Sequence, residues 1–249
     1  MPSAFGIDIG GSGIKGAPVD LETGELAAER LRIPTPEKST PDAVAEVCAQ
    51  IVREFGITEE TPIGIAFPAP IRHGVVAFIA NLHQSWKGVN FTEVMSKHIG
   101  RPVTAVNDAD AAGYAEVYYG AAKGVEGTVI VTTLGTGIGS AIVVDGHLLP
   151  NTELGHLEID GYDAEKRAAA SVRTAEDLSF EKWGKRLTRY YGHVNMLFSP
   201  DLFVIGGGVS KNFDKFIGYI DVDAAFVPAQ LRNQAGIVGA ARLAADGHH

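Results

Sequence analysis

Cysteine is nearly absent: Cys48 is the only one in the chain. A single thiol can form neither an internal disulfide nor a multi-thiolate zinc site, so a disulfide scaffold is excluded and a reducing, cytoplasmic setting is expected. Long apolar runs are missing too. No segment approaches the ~20 apolar residues of a membrane span, and no basic stretch followed by an apolar run opens the chain, so neither insertion nor export is expected. Basic charge is in deficit, with 21 Lys and Arg against 30 Asp and Glu and a net charge of −9. A general nucleic-acid binder would carry a basic excess, although an anionic substrate in a local basic groove stays compatible. Glycine, by contrast, is plentiful at 30 of 249 residues. It sits between apolar runs rather than in repeats, which marks turns rather than a low-complexity tract. With 45% hydrophobic and 20% charged residues, the chain has core enough for one large domain or two modest ones.

The first glycine turn is Asp8-Ile-Gly-Gly-Ser-Gly-Ile-Lys15, behind the apolar Ala4-Phe5-Gly6-Ile7. A dinucleotide-binding loop would need a helix at once, to meet the pyrophosphate with its N-terminus. Gly16 and Pro18 forbid that, so residues 14–19 read as a second strand and residues 26–33 as a third. Strand, glycine turn, strand suits either a phosphate cradle or an ordinary hairpin. A second instance follows: Thr128-Val-Ile-Val-Thr-Thr-Leu134, then Gly135-Thr-Gly-Ile-Gly139, then a strand from Ser140 to Val144. Two similar halves, each offering one such turn to a shared cleft, account for both.

Between the turns, helical spacing predicts helices over residues 41–55 and 91–99, and apolar runs predict strands at 62–67, 75–79 and 102–106. Residues 81–90 read as a polar loop, with Trp86 as a possible anchor. The strand at 102–106 ends in Asn107-Asp108-Ala109-Asp110, ahead of a helix over 111–119. Polar residues at a strand's carboxyl end line the ligand crevice of an open α/β sheet, though either acid could simply cap the helix. Further on, residues 175–198 read as the longest helix, on which Lys182, Lys185, Arg186 and Arg189 share one face. That stripe is either a solvated face or an anion track. Gly206-Gly207-Gly208 follows a buried strand, and residues 238–245 form a last alanine-rich helix.

Residues 8–15, Asn107-Asp108, residues 134–139, Glu153-Leu-Gly-His156, Glu165-Lys-Arg with Ser171, Ile205-Gly-Gly-Gly-Val-Ser210, and residues 228–231 and 235–240 together carry a family resemblance. The chain resembles a sugar kinase of the repressor, ORF and kinase (ROK) group in the actin-like ATPase superfamily, over nearly its full length. Within that group it is most similar to the actinobacterial polyphosphate glucokinases and glucomannokinases. The resemblance implies an α/β, actin-like (ribonuclease H-like) fold of two similar domains around a cleft. These are residues 1–109, with the terminal helix at 236–249 packing back on them, and residues 110–235.

The resemblance further implies phosphoryl transfer from polyphosphate, ATP or both to the 6-hydroxyl of glucose, and of mannose as well, with Asp108 as general base. One carboxylate at the nucleophile, with N–H donors and Mg²⁺ around the phosphate, meets the needs of that chemistry. Asn81, Asn107, Glu153, His156 and Glu165 are the implied sugar ligands, with Glu158 in reserve for Glu165. Phosphate falls to Gly10, Gly11, Ser12, Lys15, Thr133, Gly135, Thr136 and Gly137, and Asp8 to the Mg²⁺ side. Gly206, Gly207 and Gly208 match the nucleotide position, and Lys182, Lys185, Arg186 and Arg189 would form a polyphosphate track. The wider group carries a cysteine-rich zinc segment after Glu-x-Gly-His; with Gly161-Tyr-Asp-Ala-Glu-Lys-Arg167 there instead, no zinc is expected and His156 is expected to be a sugar ligand rather than a metal ligand. A homodimer is expected from the family, and no nucleic-acid or membrane partner. A regulator of this group would carry a DNA-binding domain ahead of the first turn, and a chaperone-like ATPase would lack the sugar constellation.

Overall fold

The computed structural model describes residues 3–79 and 83–247. The chain opens with β1 (Ser3–Gly10) and β2 (Gly13–Asp20), antiparallel partners whose register closes at Gly10 opposite Gly13. The strand expected over residues 26–33 is reduced to β3 (Leu31–Ile33), because Asp20 Oδ1 accepts the N–H groups of Glu22 and Thr23 and curls the chain away, leaving Leu26 one isolated bridge to Val19. Helix α1 (Pro41–Phe55) carries proline in its first turn, ends at left-handed Gly56, and buries Val44, Ala45, Cys48 and Ile51 on one face.

After the fully buried β4 (Ile63–Phe67) comes a small hairpin, β5 (Ile71–Arg72) and β6 (Val75–Val76). The strand expected over 75–79 stops early: Ala77 N–H still reaches the Pro70 carbonyl, but Pro70 has no N–H to return the bond. Trp86 is the anchor of its loop, wholly buried with its indole N–H donated to Ser39 O at 2.7 Å. Helix α2 (Phe91–Ile99) is capped by Asn90, and β7 (Thr104–Asn107) runs without a linker into α3 (Asp108–Tyr119).

The second half repeats the plan with β8 (Thr128–Leu134), β9 (Ile138–Val144) and β10 (His147–Leu149). A small hairpin, β11 (Glu158–Ile159) and β12 (Tyr162–Asp163), precedes α4 (Glu165–Ala168), α5 (Ala170–Ala175) and α6 (Phe180–Phe198). The helix expected over 175–198 thus starts late, at Phe180, and ends at Phe198 as expected. Asp177 takes a left-handed φ of 48°, and Ser179 starts α6 afresh by accepting the Lys182 N–H. β13 (Leu202–Gly206), α7 (Phe213–Phe216), β14 (Phe226–Pro228) and α8 (Ala235–Ala245) complete the chain.

Two five-stranded sheets result, β3-β2-β1-β4-β7 and β10-β9-β8-β13-β14. In each, three antiparallel strands are followed by two added in parallel, so the expected α/β fold of two similar halves is borne out. The chain forms two compact units, Met1–Ala115 with Asn233–His249, and Glu116–Arg232. In the first, Phe5, Ile7, Ile65, Phe67, Trp86 and Phe91 pack between sheet and helices; in the second, Trp183, Leu187, Tyr191, Phe203 and Phe216 do so. Helix α8 lies directly on the first sheet, its Ile237 and Ala240 carbonyls facing Gly6 and Gly64 where any Cβ would overlap them. Among the described residues no helix is long and apolar enough to cross a membrane.

Candidate active site

In the first unit, β1 delivers Asp8 to the mouth of the Gly11-Ser12 turn, directly opposite Lys15 on β2, with Lys15 Nζ 3.3 Å from Asp8 Oδ2. Gly236 leaves room for this carboxylate, since a Cβ there would stand 3.2 Å from Asp8 Cγ. The turn is held from its carbonyl side. Thr35 Oγ1 donates to Gly10 O at 2.5 Å and Arg32 Nη2 to Ser12 O at 2.6 Å. A trans peptide is planar, so its C=O and N–H point in opposite directions, and tying the Gly10 carbonyl aims the Gly11 N–H the other way. That N–H has no partner among the described residues.

At the end of β7, Asn107 is buried and its Oδ1 accepts the N–H groups of Ala109 at 2.8 Å and Asp110 at 3.2 Å. It therefore caps α3, which begins at Asp108 rather than at 111. Asp108 is exposed in the first turn of that helix, its Oδ1 accepting Ala109 N–H at 2.8 Å, where the helix dipole favours an anion. Asp110, the second acid of the run, is buried. Asn81 lies outside the described residues.

In the second unit the turn after β8 is held in the same way as the first. Ser171, in α5, donates its N–H to Gly135 O at 3.0 Å and its hydroxyl to Thr136 O at 2.6 Å. By the same planarity the amides of Thr136 and Gly137 face away from Ser171, and neither has a partner among the described residues. Glu165 Oε2 takes the next amide, Ile138 N–H, at 3.1 Å, and a Cβ at Gly137 would strike that carboxylate oxygen. Thr133, next to the last residue of β8 and half-buried, lies beside this turn opposite Gly139 of β9.

Glu153 and His156 bracket one turn of 3-10 helix, Leu154–His156, which Ser140 holds by accepting Leu154 N–H at 2.9 Å. Gly155 is obligatory there because a Cβ would overlap the Ile138 carbonyl. His156 Nδ1 lies 3.0 Å from Asp163 Oδ2, and one ligand-type atom from each of His156, Asp163 and Glu165 fits within 4.8 Å. Glu158 is exposed in β11, outside that cluster. The hydrogen bond to Asp163 pushes the His156 imidazole above its ordinary value, burial opposes it, and the charges of Glu165, Asp163 and Glu153 add to the rise. Burial pushes the Glu153 carboxyl up, with His156 opposing and Glu165 adding to the rise.

These groups give a pH signature with a definite sign. The stability contributed by the His156–Asp163 pair is fully present below the free imidazole value of about 6.5 and is lost as pH rises through the higher folded value. In Asp163→Asn the His156 ring should titrate lower than in wild type, as followed by the ring C–H resonances in NMR. An unchanged titration would deny Asp163 its hold on the ring.

Gly206 ends β13 and Gly207 and Gly208 follow it, Gly207 with φ 81° and pressed against the Leu134 carbonyl so that no side chain fits. The basic residues of α6 are not bare. Lys185 pairs with Glu181 at 2.8 Å, Arg186 makes a two-pronged pair with Glu176 at 2.6 and 3.1 Å, and Arg189 does the same with Asp160 at 2.6 and 2.8 Å. Arg186 and Arg189, joined by Arg167, line a cavity of about 170 Å³ together with Ala164, Ala168 and Tyr190. Lys182 does not line it. Sequence reading did not single out Asp163, Thr35 or Arg32. The signal for Asp163 was a carboxylate two residues before Glu165; nothing local marked Thr35 or Arg32, whose roles depend on strand pairing.

The two sheets share one plan, each with a glycine turn holding amides that have no partner among the described residues, and an acid opens the helix after β7. The ROK family model matches residues 4–170, and the chain belongs to the ROK family. Among its relatives is the polyphosphate glucokinase of Mycobacterium tuberculosis (strain CDC 1551 / Oshkosh), 48% identical over 238 residues that cover 95% of this chain and 89% of that one. Among solved structures, the inorganic polyphosphate/ATP-glucomannokinase from Arthrobacter sp. strain KM is 50% identical, with a TM-score of 0.92 and all of both chains covered. The ROK hexokinase from Thermus thermophilus is 26% identical, with a TM-score of 0.79 and 98% of each chain covered.

Proposed function

We propose that this protein is a hexose 6-kinase that moves the terminal phosphoryl group of inorganic polyphosphate or ATP to the 6-hydroxyl of glucose, and of mannose as well. The observation that carries the reading is the likeness to a polyphosphate glucokinase over 95% of the chain. Asp108 is the general base that takes the proton of the attacking hydroxyl. Asn107, Glu153, His156 and Glu165 recognise the sugar; Asn107 spends its Oδ1 on the helix cap, which leaves its amide NH₂ as the group for a hydroxyl. Gly10, Gly11, Ser12, Lys15, Thr133, Gly135, Thr136 and Gly137 face the phosphates, and Gly206, Gly207 and Gly208 the nucleoside of ATP. The half-buried Asp8 is one carboxylate at a phosphate turn, a donor set that suits Mg²⁺ held mostly by water and phosphate oxygens. Bound there, the ion would neutralise charge on the donor. The two compact units serve as the two domains of the kinase, and a cytoplasmic homodimer completes the reading.

For the donor, Lys182, Lys185, Arg186 and Arg189 are proposed to guide polyphosphate. Their carboxylate partners are no obstacle, because exposed ion pairs are worth only about 0–1 kcal/mol and a polyanion can displace them. Initial rates with glucose and mannose, each with ATP and with polyphosphate, should show transfer from both donors. Alanine at both Lys185 and Arg186 should raise the polyphosphate KM about tenfold and leave the ATP KM within about twofold, since only the long chain reaches the stripe. Equal effects on both donors would remove the track, and no transfer to any hexose would remove the kinase reading.

A further inference from the structure

Each glycine turn is tied down on its carbonyl side by a side-chain hydroxyl from outside the hairpin: Thr35 on Gly10 O in one unit, Ser171 on Thr136 O in the other. The two residues lie 136 positions apart in sequence, on segments unrelated in structure, a loop after β3 and the start of α5. Ser171 ties a second carbonyl, Gly135 O, with its own N–H. We propose that Thr35 and Ser171 are positioning residues for phosphoryl transfer, holding the turns with their amides presented to the donor phosphates. The proposal rests on the phosphate role given to these turns above.

The reason such a hold is needed lies in glycine itself. A peptide next to glycine can rotate at little steric cost, because glycine accepts most backbone conformations. Rotating the Thr136-Gly137 peptide would exchange its N–H for its carbonyl oxygen and set a negative dipole where the phosphate oxygens belong. The same holds for Gly10-Gly11. A hydroxyl bonded to the carbonyl opposes that rotation. The two hydroxyls accomplish this without adding charge to the site, so their effect is one of geometry rather than of electrostatic attraction.

The test is titration calorimetry with tripolyphosphate on wild type, Ser171→Ala, Ser171→Thr, Thr35→Val and Thr35→Ser, with glucose as a second titrant. Losing one orienting hydrogen bond should weaken tripolyphosphate about tenfold in Ser171→Ala and Thr35→Val. The hydroxyl-bearing Ser171→Thr and Thr35→Ser should stay within about threefold of wild type, and glucose affinity should hold throughout. In steady-state assays the same two hydroxyl-deleted variants should raise the KM for ATP and for polyphosphate alike, with the glucose KM unmoved. Unchanged tripolyphosphate affinity in both would overturn the proposal, as would hydroxyl-bearing variants as weak as the deletions, or an equal loss of glucose affinity. If wild type binds no tripolyphosphate, the phosphate reading of the turns falls, and this inference with it.

Discussion

Asp108→Asn is expected to lower kcat for glucose about 10³-fold, within the range that positioned general bases contribute, while glucose still binds within about threefold of wild type. The substitution isolates basicity from architecture. Asparagine keeps the size of the side chain and an Oδ1 that can still accept the Ala109 N–H, so the first turn of α3 stays capped. It cannot take the proton of an attacking hydroxyl. Asn107 continues to hold Ala109 and Asp110 from the strand side, which protects the local backbone from the change. Glucose affinity is read by calorimetry without donor, and kcat by coupled assay with each donor in turn. The loss should be the same for ATP and polyphosphate, because the base acts on the acceptor and not on the donor. A variant with near-normal kcat would remove Asp108 from the role, and one that lost glucose binding in proportion to kcat would make it a sugar ligand instead.

Much of the fold was legible because its signals are local. Helix α1 was marked by apolar residues at helical spacing behind Pro41, and α2 was read as a short helix, so both expected spans match the observed ones. The hairpin reading of the first turn followed from Gly16 and Pro18 alone, and β2 indeed runs through both. Where expectation failed, a side chain had overruled periodicity. Asp20 curls the chain before β3, and left-handed Asp177 delays the start of the longest helix from residue 175 to Phe180. The motif glycines and acids of the candidate site could be named from sequence. Their partners could not. Thr35 and Arg32 become visible only once pairing sets Ile33 against Ile14, whereas Asp163 had the local signal of a carboxylate two residues before Glu165. The basic stripe shows the converse limit: helical spacing placed four cations on one face, but the carboxylates that answer three of them come from residues 160, 176 and 181, of which only Glu181 lies on the same helix.

Gly64→Ala and Gly239→Ala are expected to be the most destabilising single-methyl changes in the chain, each by about 3 kcal/mol, the upper part of the usual range for overpacked cores. A Cβ on Gly64 would overlap the Ala240 carbonyl oxygen, and one on Gly239 the Ala111 carbonyl oxygen. Neither obstacle is a flexible side chain that could swing aside. Each is backbone, so α8 as a whole must lift from β4 or from α3. The floor that α8 rests on is small by design of its sequence: Gly6 and Gly64 are side by side in the parallel register of β1 and β4, and the helix answers with Ala235, Gly236, Gly239, Ala240 and Ala241. Gly218→Ala is the matched control, because its added methyl meets no atom within 4 Å and its φ is negative-side backbone. It should stay within about 0.5 kcal/mol of wild type, as surface changes do. At about 2–4 °C per kcal/mol for a chain of this size, the two α8 contacts predict melting temperatures some 6–12 °C lower, and the control none. Because Gly236 borders the Asp8 carboxylate, a lifted α8 should also weaken donor binding in the folded fraction of Gly64→Ala. Urea unfolding followed by tryptophan fluorescence decides the first point, and tripolyphosphate titration of the folded protein the second. A Gly64→Ala protein as stable as Gly218→Ala would mean that α8 does not sit on the sheet as closely as the overlap with Ala240 requires.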